Sequence, residues 1–124
     1  MKSWTRNEIG LFDINFETGE CYWSFELKRM LGVRHDVPAE FHLLLQRIHP
    51  GDRRAFCRTA MQPFRVDCPR HSSTEFRVVH NDGRVHWLHT ERRTIVREDD
   101  SGEVVRIVGF MLEIAAPTGL LRAA

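Results

Sequence analysis

The 124-residue chain has no apolar run of about eighteen residues, so no segment reads as a bilayer-crossing helix. Its opening residues, Met1 to Arg6, lack the apolar stretch of a secretory signal. Cysteine is scarce: Cys21, Cys57 and Cys68 are odd in number and form no CxxC pair. That argues against a disulfide framework or zinc knuckle and for a reducing cytosol. No charge of one sign dominates, since eighteen Lys and Arg are mixed among seventeen Asp and Glu for a net charge of +1. Without a basic stripe, neither nucleic acid nor direct membrane contact is expected. The sequence also lacks G-x-S-x-G, a glycine-rich phosphate loop, H-E-x-x-H and any Cys/His cluster at ligand spacing. The expectation is a cytoplasmic protein, or the cytosolic part of a membrane-bound one, with no metal and no catalytic residues of its own.

What is present fits one domain large enough to bury a core without staples. Ile9 to Phe16 alternates like a strand; Glu17 to Glu20 is a polar turn; Cys21 to Ser24 is a second short apolar stretch, giving a hairpin. Ser24 is placed to cap a helix carrying Leu27, Met30 and Leu31, which Gly32 ends. Pro38 opens a second helix with Phe41, Leu44, Leu45 and Ile48, and Pro50-Gly51 breaks it. Asp52 is placed to cap a third, with Ala55, Phe56 and Ala60, running to Pro63. The period then changes to two. Thr74 to His80, Val85 to Val96 and Val104 to Ile114 read as strands joined by Asn81-Asp82-Gly83 and by a turn through Asp99 to Gly102, an antiparallel meander. Two strands, three short helices and three strands make an α+β domain with its helices on one face of a single sheet.

The last strand is apolar on both faces. Ile107, Gly109 and Met111 share one, and Phe110, Leu112 and Ile114 the other. Helices can cover only one, so a partner subunit or a terminal segment such as that through Trp4 must cover the second. A homodimer through Trp87, Phe110, Leu112 and Ile114 is the expectation.

Several segments in order resemble the PAS domains, in the subgroup with a His-Pro-x-Asp segment: His49-Pro50-Gly51-Asp52, Glu75-Phe76-Arg77-Val78, Asp82-Gly83-Arg84 with Trp87-Leu88, and the closing Gly109 to Ala115. Ile9 to Ile14 and Tyr22-Trp23-Ser24 resemble the family's first hairpin. Glu113 and Ala115 depart from it, standing where Asp and Thr are usual; in the family those two often join the core to an output helix. The resemblance implies a sheet in the order 2-1-5-4-3. It implies a PAS domain over 1–116, with 117–124 beginning a linker to an effector, a histidine kinase or diguanylate cyclase. It also implies a sensory and dimerising role, with a small-molecule ligand in the core pocket. The alternative is a small α+β enzyme with a pocket of similar shape.

Set against the flavin photosensors of that superfamily, the chain has no cysteine near Leu44 and Leu45, and has Val78, Leu88 and Met111 where flavin-binding amides stand. A flavin ring would lose its hydrogen bonds there. Haem needs an axial histidine before the first meander strand, and the helix after Asp52 has none, with His71 falling in a loop beyond. Neither cofactor is expected. His42 and His49, read as one helical face, stand about 10.5 Å apart, too far to share an ion. His86 and His89 point to opposite strand faces. Asp13, Glu20, Glu75 and Glu91 read as a solvated face, and Trp23 as a packing residue. By the same alignment the concave face carries Phe12, Ile14, Phe76, Val78, Leu88, Thr90, Arg92, Ile107 and Met111. A filled core with Arg92 near its rim is the simpler expectation; a pocket in which Arg92 meets a carboxylate is the sharper one.

Overall fold

Residues 8–65, 69–99 and 101–116 are described by the computed structural model. The expected linker at 117–124, Trp4 and Cys68 lie outside them. Strands β1 (Gly10–Asn15) and β2 (Cys21–Trp23) form the first hairpin. Helices α1 (Phe25–Leu31), α2 (Phe41–Arg47) and α3 (Pro50–Met61) follow, the last running into a 3-10 turn at Gln62–Phe64. Strands β3 (His71–Val79), β4 (Val85–Val96) and β5 (Val104–Ile114) complete one antiparallel sheet in the order β2-β1-β5-β4-β3. This is the α+β architecture expected, in the expected strand order.

Ser24 caps α1 through its hydroxyl, which accepts from the Leu27 amide at 3.2 Å, and Gly32 ends the helix at φ 72°. Leu27 and Leu31 are completely buried, each burial worth about 1.5–3 kcal/mol. The helix sits so close to β1 that a Cβ at Gly10 would lie 2.8 Å from Leu27 Cα. Ile48, Val78 and Leu88 complete the packed centre, all at 0% exposure.

Three local expectations are corrected. α2 begins at Phe41, not Pro38. β3 begins at His71, not Thr74, because β4 is long enough to pair Arg93 with His71 and so satisfies the backbone of two serines that carry no strand signal. Third, α3 is capped by His49, whose Nδ1 accepts from Gly51 N at 2.9 Å. Asp52 is drawn elsewhere. Its carboxylate accepts from the Arg77 amide at 2.8 Å and from the guanidinium at 3.0 and 2.7 Å. The His49 amide also donates to Arg77 O at 2.8 Å. The His-Pro-x-Asp segment thus fastens the start of α3 to the outer edge of β3, occupying an edge that would otherwise be open to another strand. His42 and His49 accordingly lie on different elements, not on one helical face.

Candidate functional site: an apolar cavity beneath the third helix

Where α1 presses on the sheet, α3 stands off it. No residue of α3 is fully buried, and a cavity of about 400 Å³ opens between that helix, the 3-10 turn and the sheet. The core is therefore not filled, contrary to the simpler expectation. Phe12, Ile14, Thr90, Arg92, Ile107 and Met111 line the cavity as the strand alternation places them. Phe76, Val78 and Leu88 do not. They share the same sheet face but are sealed under α2 and Ile48, at 2%, 0% and 0% exposure. Sequence reasoning missed the opposite wall: Trp23 and Cys21 from β2, Phe41 and Leu44 from α2, Phe56, Thr59 and Ala60 from α3, and Phe64 from the 3-10 turn. Their signal was Phe41, Phe56 and Phe64, three large rings on short helices that need something to pack against.

Gly109 keeps the floor flat. A Cβ there would fall 2.1 Å from Glu91 O and 2.6 Å from the Phe12 ring, which lies against the β5 backbone in that place. Above it, Phe56 meets Phe76 edge-on at 4.9 Å and stacks with Phe41 at 6.2 Å, an aromatic ladder up one wall.

Thr90 and Arg92 at the wall are engaged within the protein. Thr90 Oγ1 donates to Phe110 O at 3.1 Å. Arg92 donates through Nε to Ser72 Oγ at 3.0 Å and through Nη2 to the carbonyl of Thr59, in the last turn of α3. A guanidinium there answers both the orphan carbonyls and the negative end of the helix. Burial pushes the Cys21 thiol above its ordinary pKa, with the nearby Asp13 charge acting in the same direction.

The groups that the resemblance leads one to seek for a flavin or a haem are amides at three positions and an axial histidine. Val78 and Leu88, where flavin-binding amides would stand, lie outside the cavity, and Met111 offers no amide. Among the described residues no histidine lines the cavity. The described histidines of the sheet are used elsewhere. On the outer face His89 bridges Glu75 and Glu91 at 3.1 and 3.0 Å, and His71 joins Glu91 at 3.1 Å, bonds that hold the Glu91 carboxyl below its usual range. On the helix side His86 bonds Glu113 at 2.7 Å and packs against His80 with ring centres 4.1 Å apart. Among the described residues no group of His, Cys, Asp and Glu is arranged to hold a metal ion, and no helix is long and apolar enough to cross a membrane.

Trp87, Phe110, Leu112 and Ile114 all lie on the sheet face away from the helices, half-buried, with Trp87 directly opposite Ile114. Leu11, paired with Phe110 and 50% exposed, extends the stripe across β1. Asp13 and Glu75 are not merely solvated: Asp13 pairs with Arg106 at 2.7 Å, and Glu75 with His89.

A five-stranded antiparallel sheet with its helices on one face and a cavity beneath the third is an α+β architecture shared with known proteins. Residues 20–111 match the family described as the PAS fold, and the chain belongs to that family. It is 27% identical over 110 residues to the sensor protein FixL of Bradyrhizobium diazoefficiens, a match covering 86% of this chain and 20% of that protein. It is 20% identical over 106 residues to a blue-light-activated histidine kinase of Brucella anthropi, with the same coverages of 86% and 20%. The chain spans about a fifth of the curated relatives it matches. Among solved structures, a sensory box histidine kinase/response regulator from Burkholderia thailandensis superposes with a TM-score of 0.63 at 27% identity, over 93% of this chain and 81% of that one. The N-terminal domain of a diguanylate cyclase with PAS/PAC sensor from Marinobacter aquaeolei shares the fold, with a TM-score of 0.66 at 24% identity over 86% and 94%. With these relatives, the domain is a sensory PAS module of signal transduction.

Proposed function

We propose that the domain is the input module of a larger bacterial signalling protein, that it holds a small molecule in the cavity beneath α3, and that it dimerises through the outer sheet face. One observation carries the reading: an otherwise closely packed domain keeps about 400 Å³ open at the junction of α3 and the sheet. Atoms lining a void lack neighbours on one side and lose their dispersion contacts, so an empty cavity of this size costs stability that an occupant restores. The effector, a histidine kinase or a diguanylate cyclase, lies outside this chain, as the kinds of relatives it matches suggest. The half-buried stripe from Leu11 to Trp87 supports a second subunit on the outer face.

Xenon, which enters dry apolar cavities, tests the pocket. Under xenon pressure the amide resonances of Thr90, Met111 and Ala60 shift saturably, and those of the α1 side do not; shifts spread evenly over the molecule would overturn the reading. The cavity is also expected to be free of chromophore. A flavin or haem band, at about 450 or 410 nm, copurifying with the protein would show that the cofactor reading is wrong.

A further inference from the structure

We infer that the cavity takes an uncharged, ring-bearing apolar molecule and not an anion held by Arg92, an inference that rests on the sensory reading of that cavity. Among the described residues Arg92 is the one charged side chain on the wall, and it lines the cavity from β4, where an anion would have to meet it. Its donors are already directed at Ser72 Oγ and at Thr59 O. That second bond ties the last turn of α3 to the sheet, so recruiting the guanidinium to a ligand would release the helix that roofs the cavity. Among the described residues no acid and no second base lines the site. Thr90 donates to Phe110 O, and the Cys21 thiol, raised by burial, stays protonated at neutral pH. A charged guest would give up its hydration for a wall with little left to offer it.

The opening reinforces this. Phe16, Phe41, Met61 and Phe64 line the cavity yet remain 44%, 46%, 58% and 51% exposed, so they form its lip. Four large apolar side chains gathered around one opening are an approach path for an apolar guest and a poor one for a hydrated ion. Ring shape follows from the walls. Phe41 and Phe56 on the wall already stack on each other, and Trp23 and Phe12 present further ring surface, so a flat guest extends that stack at ordinary aromatic spacing. Size follows from volume. About 400 Å³ corresponds to roughly thirteen waters at their liquid volume, room for a fused two-ring compound and too little for a tetrapyrrole.

The test is a matched pair of probes, 2-methylnaphthalene and 2-naphthoate, similar in shape and differing in charge. Each is titrated into the protein by calorimetry and by amide chemical shifts at neutral pH. The neutral probe is expected to bind one to one, with a dissociation constant on the order of 10–100 μM, and the carboxylate at least about tenfold more weakly. Ala60→Phe and Ile14→Trp, each placing bulk into the cavity from a different wall, should both remove binding of the neutral probe; either suffices if the other fails to fold. If 2-naphthoate binds as tightly or more tightly, the inference is overturned while the cavity remains a binding site. If neither probe binds although xenon enters, the uncharged-ring class is overturned; if xenon does not enter either, the sensory reading of the cavity falls with it. Binding that survives both filling variants would place the probes elsewhere and also overturn the inference.

Discussion

The two ends of the helical layer meet the same sheet in opposite ways. At the α1 end, three of seven helical residues are buried, Gly10 lets the helix approach within contact of β1, and Ile48, Val78 and Leu88 leave no space. At the α3 end, a twelve-residue helix has no fully buried residue and meets the core through Phe56, with polar ties at both termini. The Asp52–Arg77 fork fixes its start, and Arg92 fixes its last turn. Stability is thus concentrated where the packing is dense, and the room for a guest lies where the helix is suspended from polar struts. A single domain gains rigidity and adaptability together by separating them in space.

The comparison is broken most sharply by truncating one residue on each side. Leu27→Ala, at 0% exposure, should lose about 2–5 kcal/mol in urea unfolding. Phe56→Ala, a larger truncation, should lose less, because Phe56 already borders open space and is only half-buried. Equal losses would mean that α3 is as tightly seated as α1.

Next in size is the strut at the start of α3. Asp52→Asn leaves the Arg77 amide a partner but removes the charged fork, at a cost of about 1.5–3 kcal/mol. The bond from the Arg77 side chain holds the Asp52 carboxyl below its ordinary range. A carboxyl with a lower pKa folded than unfolded stabilises the fold fully above its unfolded value, about 3.9, and that contribution drains away as pH falls through the lower folded value. Wild type and Asp52→Asn should therefore converge in stability once the pH lies below the folded value. A constant gap down to that pH would show that the fork contributes through packing alone.

How far this contrast could be read from sequence depends on what sets it. Strand faces were legible because alternation fixes them: the bounds of β4 and β5 and the opposed faces of Met111 and Leu112 follow from period two. Ser24 and Gly32 were legible because their bonds are local. The α3 cap was not, since Asp52 is the residue type that suits an N-cap, yet its carboxylate is taken by Arg77, twenty-five residues beyond, and His49 caps the helix instead. Nor was the division of one sheet face into wall and sealed core. Val78 and Thr90 lie on the same face, but the periodicity of a strand says nothing about whether α2 or a void stands above it.

The outer face offers a smaller effect that bears on the proposed dimer. Leu112→Glu sets a carboxylate beside His89, across the ladder in β4, and in the middle of the Leu11–Trp87 stripe. Buried at an interface and unpaired, it should weaken self-association by tenfold or more, read as a shift toward monomer in sedimentation at tens of micromolar. Monomer stability should hardly change. A wild-type protein that is already monomeric, or a dimer indifferent to the change, would show that this face is not the interface.

The smallest expected change in stability comes from filling the void. Ala60 sits on the cavity side of α3, part-buried, and a Phe there replaces lost contacts with new ones while keeping the helix's backbone and both struts. In a packed core such an insertion costs about 1–3 kcal/mol, because neighbours must leave their rotamers. Here roughly 400 Å³ stands open beneath the substitution, so the ring can be accommodated and its burial offsets what crowding remains. Ala60→Phe should therefore unfold within about 1 kcal/mol of wild type while abolishing probe binding. Leu31→Phe, the control in the dense half, should be destabilised by the full overpacking cost. A large loss for Ala60→Phe would mean that the hollow collapses in solution and that α3 rests on the sheet after all.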